Sequence, residues 1–144
     1  MSDRPTVVLD TNVFISGLLW PGPSNSILRA VERGEIIVAV SQSILDELRG
    51  VILRPKFRAR IDAIQTDPAE LMESVTRVVR LVEPQVISRI VLEDPDDDKF
   101  IACARSADAA WIVTGDSHLL ELRRHGAIRI GTSRQFWTDW TRHT

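Results

Sequence analysis

Three short runs of apolar, largely β-branched residues, Thr6-Val7-Val8-Leu9, Ile36-Ile37-Val38-Ala39-Val40 and Trp111-Ile112-Val113-Thr114, are separated by long stretches with helical signals. Apolar runs of this length without polar alternation read as strands buried on both faces. Strands alternating with helices specify a parallel sheet. The helical stretches fall near 24–33, 42–53, 57–65, 69–79, 96–107, 117–124 and 133–141. Asp67-Pro68-Ala69-Glu70 supplies a capping acid, a first-turn proline and an acid three residues after the cap, and Asp94-Pro95-Asp96-Asp97 repeats the arrangement. Pro55 breaks the second helical region, because proline disfavours helical geometry in the residue before it. A helical hairpin between strands is the expected result. Further short strands near 78–82 and 128–130 bring the sheet to about four or five strands.

A chain of 144 residues, 44% of them hydrophobic, can bury a core as one domain, residues 1–144. No apolar stretch reaches the ~18 residues of a membrane span, and Met1 to Pro5 lacks the layout of a secretory signal, so a cytoplasmic protein with no membrane attachment is expected. The single cysteine, Cys103, lies among Ile101, Ala102 and Ala104 and reads as a buried structural thiol. A net charge of −2 excludes a basic wrap for nucleic acid, so any RNA contact must be local.

In parallel α/β sheets the working crevice lies beyond the carboxyl ends of the strands. Asp10 ends the first run, and Asp116 follows the third in Thr114-Gly115-Asp116. Glu47 sits six residues past Ser41, where the second run ends, about a turn and a half along the next helix. A fourth source is Glu93-Asp94-Pro95-Asp96-Asp97-Asp98, five acids in six residues before Phe100-Ile101-Ala102. Singly, each has a plain structural use: Asp10 as a turn acid, Asp116 as a helix cap, Glu47 on a solvated helix face, the acidic run as helix-start chemistry. Together they form a set of converging carboxylates, which a fold tolerates mainly when a cation neutralises them. Oxygen donors without histidine or cysteine partners favour Mg²⁺ or Mn²⁺ over zinc. Such ions, bound by carboxylates and a substrate phosphate, support phosphodiester hydrolysis.

Asp10-Thr11-Asn12-Val13 after a β run, the Ser41…Glu47 pairing, Asp98-Lys99-Phe100-Ile101-Ala102-Cys103-Ala104 and Thr114-Gly115-Asp116 occur in the order found in PIN-domain nucleases, and the chain resembles that family over nearly its whole length. It is most similar to the toxin branch, the VapC toxins, in which the domain stands alone. The resemblance implies a three-layer α/β/α fold, a metal-dependent endoribonuclease, a homodimer, and inhibition by a cognate antitoxin protein. It further implies that Asp10, Glu47, Asp98 and Asp116 form the acidic site, with Asp10, Asp98 and Asp116 holding the metal and Glu47 completing the ligand set or orienting a water. Thr11, Asn12 and Ser41 would be supporting polar residues. Successive helix positions point about 100° apart, so only one of Asp97 and Asp98 can face the pocket squarely. The family pattern selects Asp98 through Phe100 and Ala102, leaving Asp94 and Asp97 as supporting groups or caps.

Arg49, Arg54, Lys56, Arg58 and Arg60 form a run of cations with no acid before Asp62, and offer phosphate contacts for RNA or, equally, a solvated helix face. Trp137 and Trp140 read as packing in the last helix. Rival classes are an idle RNA- or protein-binding domain and an aspartate-dependent phosphatase. The phosphatase would want a second acid two residues after Asp10, where this chain has Asn12. A phospho-accepting receiver would need a late lysine after a strand, a position neither Lys56 nor Lys99 fills.

Overall fold

The computed structural model describes residues 4–84 and 98–143, with Asp98 described by its place in a helix and not by its side chain. Six strands, β1 (Thr6–Leu9), β2 (Ile37–Val40), β3 (Arg80–Leu81), β4 (Trp111–Val113), β5 (Arg124–His125) and β6 (Ile128–Gly131), form one sheet in the order β3-β2-β1-β4-β6-β5. All neighbouring pairs are parallel except β5 with β6. Eight α-helices are seen among the described residues: α1 (Thr11–Leu19), α2 (Pro23–Glu32), α3 (Gln42–Ile52), α4 (Arg58–Ala63), α5 (Pro68–Val78), α6 (Asp98–Ser106), α7 (Ser117–Leu122) and α8 (Ser133–Arg142). A 3-10 turn at Pro55–Phe57 leads into α4.

The three central strands explain the layering. Val7, Val8 and Leu9 are consecutive and wholly buried, as are Val38, Ala39 and Val40. Successive strand residues point to opposite faces, so burial of all of them requires helices on both sides. α6 packs against β1, β2 and β4, and α8 packs against β4 and α2. The result is the three-layer α/β/α arrangement expected from sequence. Among the described residues the sheet departs from expectation in having six strands and one antiparallel edge pair. β3 and β5 are only two residues long and mostly exposed, a length that blunts the sheet edges against pairing with another chain.

α1 is the element that sequence patterning does not identify. Its residues, Thr11-Asn12-Val13-Phe14-Ile15-Ser16-Gly17-Leu18-Leu19, mix β-branched residues and glycine, all weak helix formers. Tertiary packing overrides propensity: Val13, Phe14, Ile15 and Leu19 are core residues, and Gly17 lets α2 approach closely. A Cβ at Gly17 would meet Ser24 O at 2.8 Å and Leu28 Cδ1 at 2.7 Å.

Chain order sets where a site can form. From β1 the chain crosses to β2 and β3 on one side, then returns through α6 to place β4 on the other side of β1. The strand order reverses between β1 and β4, the position where parallel α/β sheets place their working crevice, beyond the carboxyl ends of the strands.

Candidate active site

Four of the strands lead into helices through a polar N-cap at this edge. Asp10 caps α1 by accepting from Val13 N at 2.8 Å, and Ser41 caps α3 by accepting from Ile44 N at 3.3 Å. Asp116 caps α7 through His118 N at 2.8 Å, and Thr132 caps α8 through Gln135 N at 3.1 Å. Four positive helix ends therefore face the edge where β1, β2, β4 and β6 finish. The plain structural use of Asp10 and Asp116 as caps is real, and it also holds both carboxylates at the carboxyl ends of β1 and β4.

Asp10 is 5% exposed, and its carboxylate is held from three directions. Oδ1 accepts from Val13 N, while Oδ2 accepts from the Thr114 hydroxyl and from Gly115 N at 3.2 Å. The Thr114 hydroxyl also accepts from Asp116 N at 2.9 Å, so one buried side chain ties the ends of β1 and β4 together. Burial pushes the Asp10 carboxyl above its ordinary value of 3.8, against the pull of its hydrogen bonds, and the negative charge of Asp116 adds to the rise. A carboxylate has about four lone-pair sites, and these bonds from the described residues leave one on Oδ1 for a further partner.

Glu47 reaches the same edge from α3. Its Oε2 accepts from the Thr11 hydroxyl, and its Oε1 accepts from Lys99 Nζ on α6. Burial raises its carboxyl, but the bonds from Lys99 and Thr11, with the nearby charges of Lys99 and Arg54, outweigh burial and hold it below its ordinary value of 4.5. In the sequence Lys99 figures as a motif position and as evidence against a receiver domain; its pairing with Glu47 becomes visible when α6 is packed beside α3. Thr114 likewise reads there as motif spacing and not as a site residue.

The structure thus brings Asp10 and Asp116 together, joins Glu47 to Thr11, the residue after Asp10, and uses Ser41 as the cap of α3. Asn12 is exposed on the first turn of α1. Asp98 opens α6, one residue before Lys99, while Asp94 and Asp97 lie outside the described residues. Among the described residues no three Asp, Glu, His or Cys side chains gather as a ready metal-binding group. What is present fits a hard cation in part. The donors are all oxygen, and the charge of Asp116 disfavours ionisation of the buried Asp10, a repulsion that a bound cation would relieve. Glu47 is different, because Lys99 already balances it.

The cationic run of α3 and α4 is divided in its use. Arg60 donates to Leu19 O at 2.6 Å and lies 5.7 Å from the centre of the Trp20 ring, closing the end of α1. Arg49 pairs with Asp46, while Arg54 lies near enough to Glu47 to lower its pKa. Arg54, Lys56 and Arg58 are exposed. Cys103 is wholly buried, and burial pushes its thiol up to about 11, in keeping with a structural role. Trp137 and Trp140 pack on the core with ring centres 5.3 Å apart. No helix among the described residues is long and apolar enough to cross a membrane.

Known proteins of similar sequence and fold identify the family. The PIN domain family model matches residues 6–118. The uncharacterised protein MJ1680 of Methanocaldococcus jannaschii is 36% identical over 118 residues, covering 81% of this chain and 74% of the relative. The PIN domain of human SMG5 superposes with a TM-score of 0.51 at 16% identity, over 94% of this chain and 99% of that one, a likeness of fold. With the family match running from the start of β1 through the Asp116 cap, and the acids standing where the sheet changes direction, the chain belongs to the PIN-domain family.

Proposed function

We propose that this protein is a divalent-metal-dependent endoribonuclease whose site is built around the carboxylate pair Asp10 and Asp116 at the ends of β1 and β4. PIN domains form a nuclease superfamily whose members are generally metal dependent. The observation that carries the proposal for this chain is the pairing of Asp10 and Asp116 at the switch point, a buried carboxylate and a close neighbour of like charge, with no cationic side chain among the described residues bonded to either.

Asp10, Asp116 and Asp98 are the residues proposed to hold Mg²⁺ or Mn²⁺. A bound ion would neutralise the phosphate and lower the pKa of an attacking water. The chain's own groups prepare that chemistry. Val13 N, Gly115 N and the Thr114 hydroxyl fix the Asp10 carboxylate in one orientation before any ligand arrives. Glu47, kept ionised by Lys99 and Thr11, would orient that water. The positive ends of α1, α3 and α7 favour the negative charge that builds on the phosphate.

A cytoplasmic, homodimeric toxin restrained by an antitoxin protein is the physiological setting we propose, on the strength of the resemblance to the VapC toxins. The chemistry is tested by incubating purified protein with a mixed RNA pool and Mn²⁺, and following both RNA length and inorganic phosphate. Shortened RNA without phosphate release is expected. Phosphate release from a phosphomonoester with RNA intact would replace the nuclease by a phosphatase, and metal-independent RNA binding without cutting would leave an idle binding domain.

A further inference from the structure

A second charged feature lies away from the carboxylates. Between α8 and the β5–β6 edge a cleft of about 440 Å³ is lined by Arg123, Arg124, Arg129, Arg134 and Arg142, with Asp139 as the single acid among the described residues of its lining. The protein as a whole carries a net charge of −2, so this face gathers positive charge against the overall balance. All five arginines are exposed. Arg129 is pre-set: its guanidinium lies 4.3 Å from the centre of the Trp111 ring and bonds Asp139 at 3.3 Å. A guanidinium stacked on an indole keeps donors for a second, planar acceptor. Arg123 holds a left-handed backbone (φ 61°), a conformation that is strained for a non-glycine residue. The chain nevertheless keeps an arginine there, at the rim of the cleft.

The cleft is connected to the candidate active site by geometry. β6 runs parallel to β4, so α8 starts at the same edge where Asp10 and Asp116 stand. Arg134 is in the first turn of α8 and Arg142 in its last, about 12 Å further from that edge. Positive charge therefore runs from the catalytic edge down one side of the molecule.

We propose that this arginine cleft binds the phosphate backbone of a single RNA strand and holds the substrate flanking the cleaved bond. The assignment rests on the ribonuclease reading for the identity of the polyanion. Planar guanidinium groups suit phosphate oxygens, and backbone contacts of this kind position a strand without reading its sequence. The cleft also takes over a role the α3–α4 cations fill only in part, since Arg60 and Arg49 are held by Leu19 O and Asp46.

The test is binding of a fluorescent single-stranded RNA in chelator, followed by anisotropy across a salt series. A triple variant, Arg124→Gln with Arg134→Gln and Arg142→Gln, is compared with the wild type and with a charge-matched control, Arg29→Gln with Arg33→Gln and Arg77→Gln. The cleft variant is expected to bind at least tenfold more weakly, and its log–log salt slope to shrink by about 2, at ~0.7 for each phosphate of a single strand that the protein no longer neutralises. The control is expected to stay within twofold of the wild type, and all three proteins to melt alike. Equal affinity and slope in the two triple variants would overturn the proposal, as would absence of salt-dependent RNA binding by the wild type. Displacement of RNA by poly-glutamate of equal charge as readily as by unlabelled RNA would overturn it in favour of an acidic protein partner. The two readings fail separately. Metal-dependent cutting with unchanged KM in the cleft variant would sink the cleft and spare the nuclease, whereas cleft-dependent binding without cutting at any metal concentration would support the cleft and sink the nuclease.

Discussion

Thr114 shows how much of this site depends on one hydroxyl. It donates to Asp10 and accepts from Asp116 N in a position 1% exposed. Thr114→Val keeps the shape but strips both bonds, leaving the part-buried Asp116 N unpaired and Asp10 less well supported. The expected loss is about 1–3 kcal/mol, read by urea denaturation at neutral pH. Asp10 itself gives a pH signature. Its folded pKa lies above 3.8, chiefly through burial, so the folded state holds this proton more tightly than the unfolded state does. Raising pH through the interval between the two values therefore favours unfolding, and the penalty is complete above the folded value. Asp10→Asn carries no such penalty. In chelator its stability relative to the wild type should rise with pH across that interval and then level off; a relative stability that falls over about pH 4 to 8 would contradict the burial of an unneutralised carboxylate.

At the scale of elements, the two helix glycines make opposite predictions. Gly50 in α3 has open space where a Cβ would go, so Gly50→Ala should stabilise by about 0.5–1 kcal/mol through helix propensity alone. Gly17 in α1 has backbone at 2.8 Å in that place, and Gly17→Ala should cost about 1–3 kcal/mol as α1 and α2 are pushed apart. Thermal melts of the two variants should shift in opposite directions. The same contrast explains what is legible in the sequence. β1, β2 and β4 announce themselves because burial on both faces demands unbroken apolar runs. α5 is bounded by visible chemistry, the Asp67 cap and Pro68. α1 carries only its cap, and the rest of its helicity comes from packing against α2 and α3, which no local pattern contains. β5 escapes notice because two residues paired to β6 through a turn at Gly126 leave no periodicity to read.

At the scale of the whole molecule, the site is a product of topology. The sequence supplies Asp10 and Asp116 more than a hundred positions apart, and their meeting depends on β4 returning to the far side of β1. Their placement at strand ends is legible, because a strand that stops at an acid is visible in one dimension. The Lys99–Glu47 pair and the arginine cleft are not, because each joins elements whose adjacency only the folded sheet fixes. The central claim is that the Asp10 cluster performs metal-dependent cleavage of RNA. It is tested most directly by measuring the initial rate of RNA cleavage for the wild type and Asp10→Asn, prepared identically, with Mn²⁺ and with chelator. Cutting by the wild type with Mn²⁺ alone is expected, with a fall of about a hundredfold or more in the variant, the scale of losing a group that acts only in the transition state. Equal rates in the two proteins, or cutting that persists in chelator, would contradict it.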